Sequence, residues 1–250
     1  MVRAVFYKEF LELKSDKGAI RKLVLQSMGM GLLFPALMYL RLVDILPMPI
    51  GILDLGITEA ERIAMIEQVL ETVGLLFLPF LVSAVAAPLS MPSIAQEAQS
   101  RTLERLLSLP LSWRSIFFGK LLFCFTVSLA SACIILGAYL LLSSAVLEAF
   151  QPPALLPYVF VLIPAVVFYS VSTGLFVSAR ATSLRTANVS GALLTWALLL
   201  GAFIVAQAMG VELGRDFMLT VGLVLFAIGL TLAYFTARVN PEKLLYGHGA

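Results

Sequence analysis

The sequence is short of charge. Aspartate, glutamate, lysine and arginine supply 13% of its 250 residues, while hydrophobic residues supply 60%. Soluble domains carry about 25% charged and about 45–50% apolar residues. A soluble chain of this size cannot keep so much apolar side chain from water. The composition therefore excludes an ordinary soluble domain and predicts an all-α integral membrane protein. Histidine occurs once, as His248 near the C-terminal end, which excludes a histidine-built metal centre or a serine–histidine catalytic pair. The two cysteines, Cys124 and Cys133, lie nine residues apart in one apolar run, so on a helix they do not pair with each other and are read as packing residues. The N-terminal stretch MVRAVFYKEFLELKSDKG lacks the continuous apolar core and cleavage site of a signal peptide.

Nucleotide motifs are missing too. Gly119-Lys120 superficially resembles the end of a phosphate loop, but Arg114 stands where that loop needs glycine and Leu121 where it needs serine or threonine. Gly29-Met30-Gly31 lacks a third glycine and lies in an apolar run. No nucleophile–base pair is visible, so no catalytic residue is assigned. Nothing suggests a nucleic-acid partner.

What the sequence has is apolar runs. A membrane-crossing helix needs about 20 apolar residues. Six spans are predicted, at 22–43, 73–91, 116–147, 155–179, 187–209 and 217–237. The third is long enough to tilt or project. The apolar centres of the spans hold no Asp, Glu or His, so an ion relay through the membrane has no obvious carrier. No charged ring of an ion channel is visible either. If the chain drives transport, the energy comes from another polypeptide.

Lys and Arg set the orientation. With the N-terminus inside, only Arg41, Arg62 and Arg215 of the 17 Lys and Arg residues fall outside. Both termini are predicted to be cytoplasmic. The N-terminal segment 3–18 is amphipathic, with Val2, Phe6, Phe10 and Leu13 on one side, and is predicted to lie in the inner interface. Outside, Thr58 and Glu61 form a capping box for a short helix over 58–72, either an entry helix or a gate. Span four carries Ser170, Gly174 and Ser178 at four-residue spacing, which favours close helix packing.

The longest polar interruption is IAQEAQSRTLERLLSLPLSWRSIFFGK, residues 94–120. Ser93 with Gln96 predicts a helix start, and Pro110 a stop, giving one helix over 93–110. Ala98, Leu103, Leu106 and Leu107 form its apolar stripe. Gln99, Arg101, Glu104 and Arg105 form the polar one, with Glu97–Arg101 at i,i+4. Ser112 is predicted to cap the third span, Trp113 to sit at the interface, and Lys120 to snorkel to headgroups. On pattern alone this is equally a docking device and an ordinary loop.

This stretch resembles the signature of ABC-2 type transporter permeases, approximately E-x-E-x-G-T-L-E-x-L-L-x-T-P-x-x-R-x-x-I-x-x-G-K. Glu97, Thr102, Leu103, Glu104, Leu106, Leu107, Pro110, Ile116, Gly119 and Lys120 fit it. Gln99, Arg101, Leu109 and Trp113 depart from it. KEFLELKSDKGAI is similar to the family's N-terminal connecting helix, and SARATSLRTANVSG to its second inner loop. The resemblance covers the whole chain, read as one transmembrane domain over 1–250. It implies six transmembrane helices, an N-terminal connecting helix, and a cytoplasmic coupling helix between spans two and three. It further implies a cell-membrane exporter subunit that pairs with a second permease, identical or related, and with two cytoplasmic ABC ATPase subunits. ATP and Mg would be bound in those subunits and no cofactor in this chain. Glu97, Arg101, Thr102, Leu103, Glu104, Arg105, Leu107 and Pro110, with Arg180 and Arg185 of the second loop, would form the ATPase-coupling surface. In the family the substrate path lies near spans two and five, here carrying Phe77, Phe80, Ser83, Thr195, Trp196 and Phe203, which suits an amphipathic or lipid-like cargo. The competing readings are a membrane anchor or regulatory subunit that moves nothing, and a passive channel.

Overall fold

The structure is a computed structural model describing residues 2–45, 78–100, 102–108, 110–146, 158–181, 183–208 and 215–239. The outer helix expected over 58–72, Phe77, Arg101 and His248 lie outside the described residues. All regular structure among the described residues is helical. Helix α1 is Val2–Ser15, α2 Lys17–Ile45, α3 residues 78–90, α4 Pro92–Gln99, α5 Thr102–Ser108, α6 Trp113–Val146, α7 Ile163–Ser178, α8 Leu184–Ala208 and α9 Arg215–Ala237.

Among the described residues, five helical stretches are long and apolar enough to cross a membrane: Leu78–Gln99, Trp113–Tyr139, Phe160–Ser178, Leu184–Val205 and Asp216–Ala237. The chain is a multi-pass membrane protein. The first expected span falls within α2, which is helical throughout its 29 residues. Helix α6 has 34 residues. At 1.5 Å per residue that is about 51 Å, against a hydrocarbon core of about 30 Å, so part of it extends beyond the core or tilts.

Local sequence explains the joints. Asp16 separates α1 from α2, and its Oδ1 accepts the Ala19 N–H at 2.9 Å, capping α2. Pro164 has no N–H to offer the carbonyl four residues back, and the preceding turn, Tyr158–Leu162, widens to π geometry. Ser112 caps α6 by accepting the Ser115 N–H at 3.3 Å.

Helix α7 is the centre of the bundle and is buried along nearly its whole length. Its Tyr169 hydroxyl donates to Thr195 O of α8 at 2.7 Å. A β-carbon at Gly229 of α9 would meet the Phe168 ring and the Tyr169 backbone, and one at Gly174 would collide with Ser90 and Met91. The small-residue positions of span four therefore pack within the chain, where α3 turns into α4. Cys124 is buried and Cys133 is exposed.

Candidate functional site

The stretch 93–110 is two helices rather than one. Helix α4 ends at Gln99 and α5 starts at Thr102. The break is closed by hydroxyls: Ser100 Oγ and Thr102 Oγ1 are 2.8 Å apart, and Thr102 Oγ1 donates to Glu97 O at 3.3 Å. The start also differs from the expected Ser93 cap. Helix α4 begins at Pro92, and no side chain at its N-cap, Met91, bonds the first turn. The orphan Ile94 and Ala95 N–H groups instead donate to Ser178 Oγ at 3.0 and 2.9 Å. A serine 84 residues away does the work of a local cap, so α4 is fixed to the end of α7.

Helix α5 has an inward side and an outward side. Leu103 is fully buried, and Leu107 packs against the same core. Thr102 and Leu106 are half-buried, while Glu104, Arg105 and Pro110 are exposed. The connection between α7 and α8 lies against α4, because Ala95 packs with Ala181 and Ala187 in a small buried cluster. Arg180 and Arg185 flank that cluster and are exposed. Arg180 lies over the Phe176 ring, 3.7 Å from its centroid, and partial burial lowers its pKa. The fold thus brings the connection between α7 and α8 against α4.

Helix α4 also takes part in an ion cluster. Lys120 is not a snorkelling lysine: its side chain is only 2% exposed. Its Nζ donates to Glu9 Oε1 at 2.8 Å and to Ser93 O at 3.2 Å, and lies 3.0 Å from Glu97 Oε2. That last contact is an ion pair without hydrogen-bond alignment. Lys8 Nζ donates to Glu97 Oε1 at 3.1 Å and stands 3.5 Å from Glu12 and 3.8 Å from Glu9. Burial alone would lower the Lys8 pKa, but Glu97, then Glu9 and Glu12, outweigh it and hold the ammonium above its ordinary value. Lys8 and Lys120 therefore join α1, α4 and α6. An open cleft of about 530 Å³ adjoins them, lined also by Gln96, Thr102 and Arg105.

The neighbouring glycine makes this joint possible. A β-carbon at Gly119 would stand 2.6 Å from Val5 Cβ and 3.1 Å from Val2 O. Only hydrogen at 119 lets α1 lie so close to α6. Phe6 then meets Phe123 edge-on, with centroids 6.2 Å apart. On the expected apolar side of α1, Phe6 is half-buried and Phe10 is exposed, while the buried contact with α6 is made by Val5. The expected interfacial place of Trp113 is corrected. It is buried, and its Nε1 donates to Thr236 O of α9 at 3.1 Å.

Glu9, Lys8, Lys120 and Ser178 are the residues that sequence reasoning did not place here. The available signal was Gly119-Lys120, a cation directly after a small residue inside an apolar run.

The second residue set divides. Phe80 of α3 meets Trp196 and Phe203 of α8 at centroid distances of 6.0 and 5.9 Å, and Phe203 meets Phe217 of α9 at 5.7 Å. Ser83 and Thr195 are fully buried, and their hydroxyls have no hydrogen-bond partner among the described residues. Trp196 is half exposed, on the same side of α8 as Val189, Leu193, Leu200 and Ile204. Among the described residues no group of His, Cys, Asp and Glu is gathered to hold a metal ion.

The chain matches the family model described as ABC-2 family transporter protein over residues 17–218. No curated protein and no solved structure matches it closely enough to be compared.

Proposed function

The chain belongs to the ABC-2 family of transporter proteins, and on that premise we propose that it is the permease subunit of an ATP-driven exporter. Proteins of this family work with ABC ATPases. The observation that carries the reading is the inner junction. Glu104 and Arg105 are exposed on α5 while Leu103 beside them is fully buried. The preceding α4 is tied to α7 through Ser178 and to α1 and α6 through Lys120. A push on the exposed side of α5 would move several helices together. That is what a joint between a cytoplasmic motor and a membrane path requires.

In this reading Glu97 and Thr102 shape the joint. Arg101, Glu104 and Arg105 meet the ATPase, Pro110 ends the contact, and Arg180 and Arg185 add a smaller one. Leu103 and Leu107 hold α5 to its own domain. ATP and Mg are bound and used only in the partner, of which two copies serve two permeases. The permease sits in the cell membrane with both termini cytoplasmic, and α2 supplies the sixth span. The cargo path runs beside α3 and α8, where Phe80, Trp196 and Phe203 offer an aromatic wall and Ser83 and Thr195 buried hydroxyls. Such a lining suits an amphipathic or lipid-like cargo. The uncovered apolar side of α8 suits a second permease.

The test is purification of the tagged permease in mild detergent with native mass measurement, followed by ATPase assays in vesicles. Two permeases with two ATPase subunits are expected, and Glu104→Lys should lower coupled ATPase activity while the helices stay folded. A permease recovered alone even after crosslinking would refute the reading. An ATPase bound but indifferent to Glu104→Lys would remove that residue from the joint.

A further inference from the structure

Helix α1 has a second side that the ion cluster does not use. Arg3, Tyr7, Phe10, Leu11 and Lys14 recur at helical spacing and are all exposed, Tyr7 at 60%. No acid shares this stripe. Glu9 and Glu12 lie on the other side, in ion pairs with Lys120 and Lys8. Asp16 is spent on capping α2. The cations are the reverse: among the described residues Arg3 and Lys14 make no ion pair, nor do the exposed Lys17, Arg21 and Lys22 that begin α2. Charge along α1 is thus sorted: its acids lie on the other side in ion pairs or a cap, while Arg3 and Lys14 stand unpaired on this one.

The surroundings are apolar. Helix α1 crosses α6 at Gly119, and α6 exposes Phe118 and Leu122 at that level. A contact made only with water would leave Tyr7, Phe10 and Leu11 uncovered. A purely hydrocarbon contact would leave Arg3 and Lys14 without counter-ions. Headgroups above acyl chains satisfy both.

We propose that the Arg3–Tyr7–Phe10–Leu11–Lys14 stripe is a docking surface for anionic phospholipid of the inner leaflet, with the two cations on phosphate and the apolar side chains among the upper acyl carbons. This goes beyond an interfacial helix, because it assigns lipid charge selectivity to named residues. It does not depend on the transporter reading.

The experiment titrates the full-length permease in detergent with phosphatidylglycerol or phosphatidylcholine and counts retained lipids by native mass measurement. Wild type should retain phosphatidylglycerol about tenfold or more tightly, the scale set by two cations at an anionic surface. The preference should fall as salt rises from about 50 to 500 mM, because screening removes the charge term. Arg3→Gln with Lys14→Gln should bring the two lipids within about twofold, a near-loss of the charge term. Arg180→Gln with Arg185→Gln should leave the preference intact. Tyr7→Ser with Phe10→Ser should weaken both lipids alike. Equal retention by wild type, a salt-independent preference, or an unchanged preference in Arg3→Gln/Lys14→Gln would overturn the assignment. If that last variant keeps its lipid preference but loses the ATPase subunit, the stripe is a protein contact and the proposal fails.

Discussion

Replacing Lys120 by methionine tests the junction of α1, α4 and α6 most directly. The substitution keeps most of the side-chain volume and removes the charge. It leaves Glu9 and Glu97 without their shared cation, at side-chain exposures of only 14% and 13%. Breaking a buried pair by removing one partner costs about 3–5 kcal/mol, because an uncompensated charge stays behind. Lys8 remains 3.1 Å from Glu97, so the loss should fall near 3 kcal/mol, the lower end of that range. For a chain this size each kcal/mol moves the unfolding temperature by about 2–4 °C, which gives a drop of about 6–12 °C. Trypsin should also cut faster after Lys8, Lys14 and Lys17 as α1 comes away from α6. The control is Glu9→Gln/Glu97→Gln/Lys120→Met. It buries no unpaired charge and should recover at least half of the loss. A Lys120→Met protein within about 1 °C of wild type, well inside a 1 kcal/mol effect, would refute the argument. So would a triple variant no more stable than the single one.

Gly119→Val should push α1 off α6, since even its β-carbon would overlap Val5. The cost of such overpacking is about 1–3 kcal/mol, read as faster tryptic cleavage after Lys8 and relieved in part by Val5→Ala. Ser178→Ala should leave the Ile94 and Ala95 N–H groups unpaired, costing about 1–2 kcal/mol and speeding hydrogen exchange at those two amides. Lys8 fixes a pH dependence. Its folded pKa lies above the unfolded value of about 10.4, so its contribution is complete below that pH and lost as pH rises through the folded value. The stability difference between wild type and Lys8→Met should be flat from about pH 7 to 9 and shrink above about pH 10.5; a difference that grows with alkalinity would contradict it.

The membrane-crossing helices were legible because each needs only a local property, about 20 apolar residues in a row. Leu103 on the inward side of α5 was legible for the same reason, through local helical spacing. The break at Ser100 was not. Residues 93–109 read as one helical pattern without glycine or proline, and the interruption is made by Thr102 bonding back to Glu97 O. Glu97 itself shows the limit of local rules. Helical spacing suggests Arg101 as its partner, but the fold sets it between Lys8 and Lys120, 89 residues away in one case. The cap from Ser178 is hidden in the same way. Polar partners brought together by tertiary folding leave no periodic trace, whereas apolar faces do.

The ion cluster decides register more than strength. The apolar contacts between α1 and α6, Val5 on Gly119 and Phe6 on Phe123, set how closely the two helices approach. The contacts at Lys120 add a third helix, because its Nζ is held by Glu9 of α1 and by Ser93 O and Glu97 of α4. Buried ion sets are weak sources of net stability, and fixing register is their best-attested use. The triple neutral variant separates the two roles. If register matters to the joint, that protein regains most of its unfolding temperature yet still couples poorly to its ATPase. If coupling returns together with stability, the apolar contacts alone define the joint, and the charges serve only to keep one another satisfied.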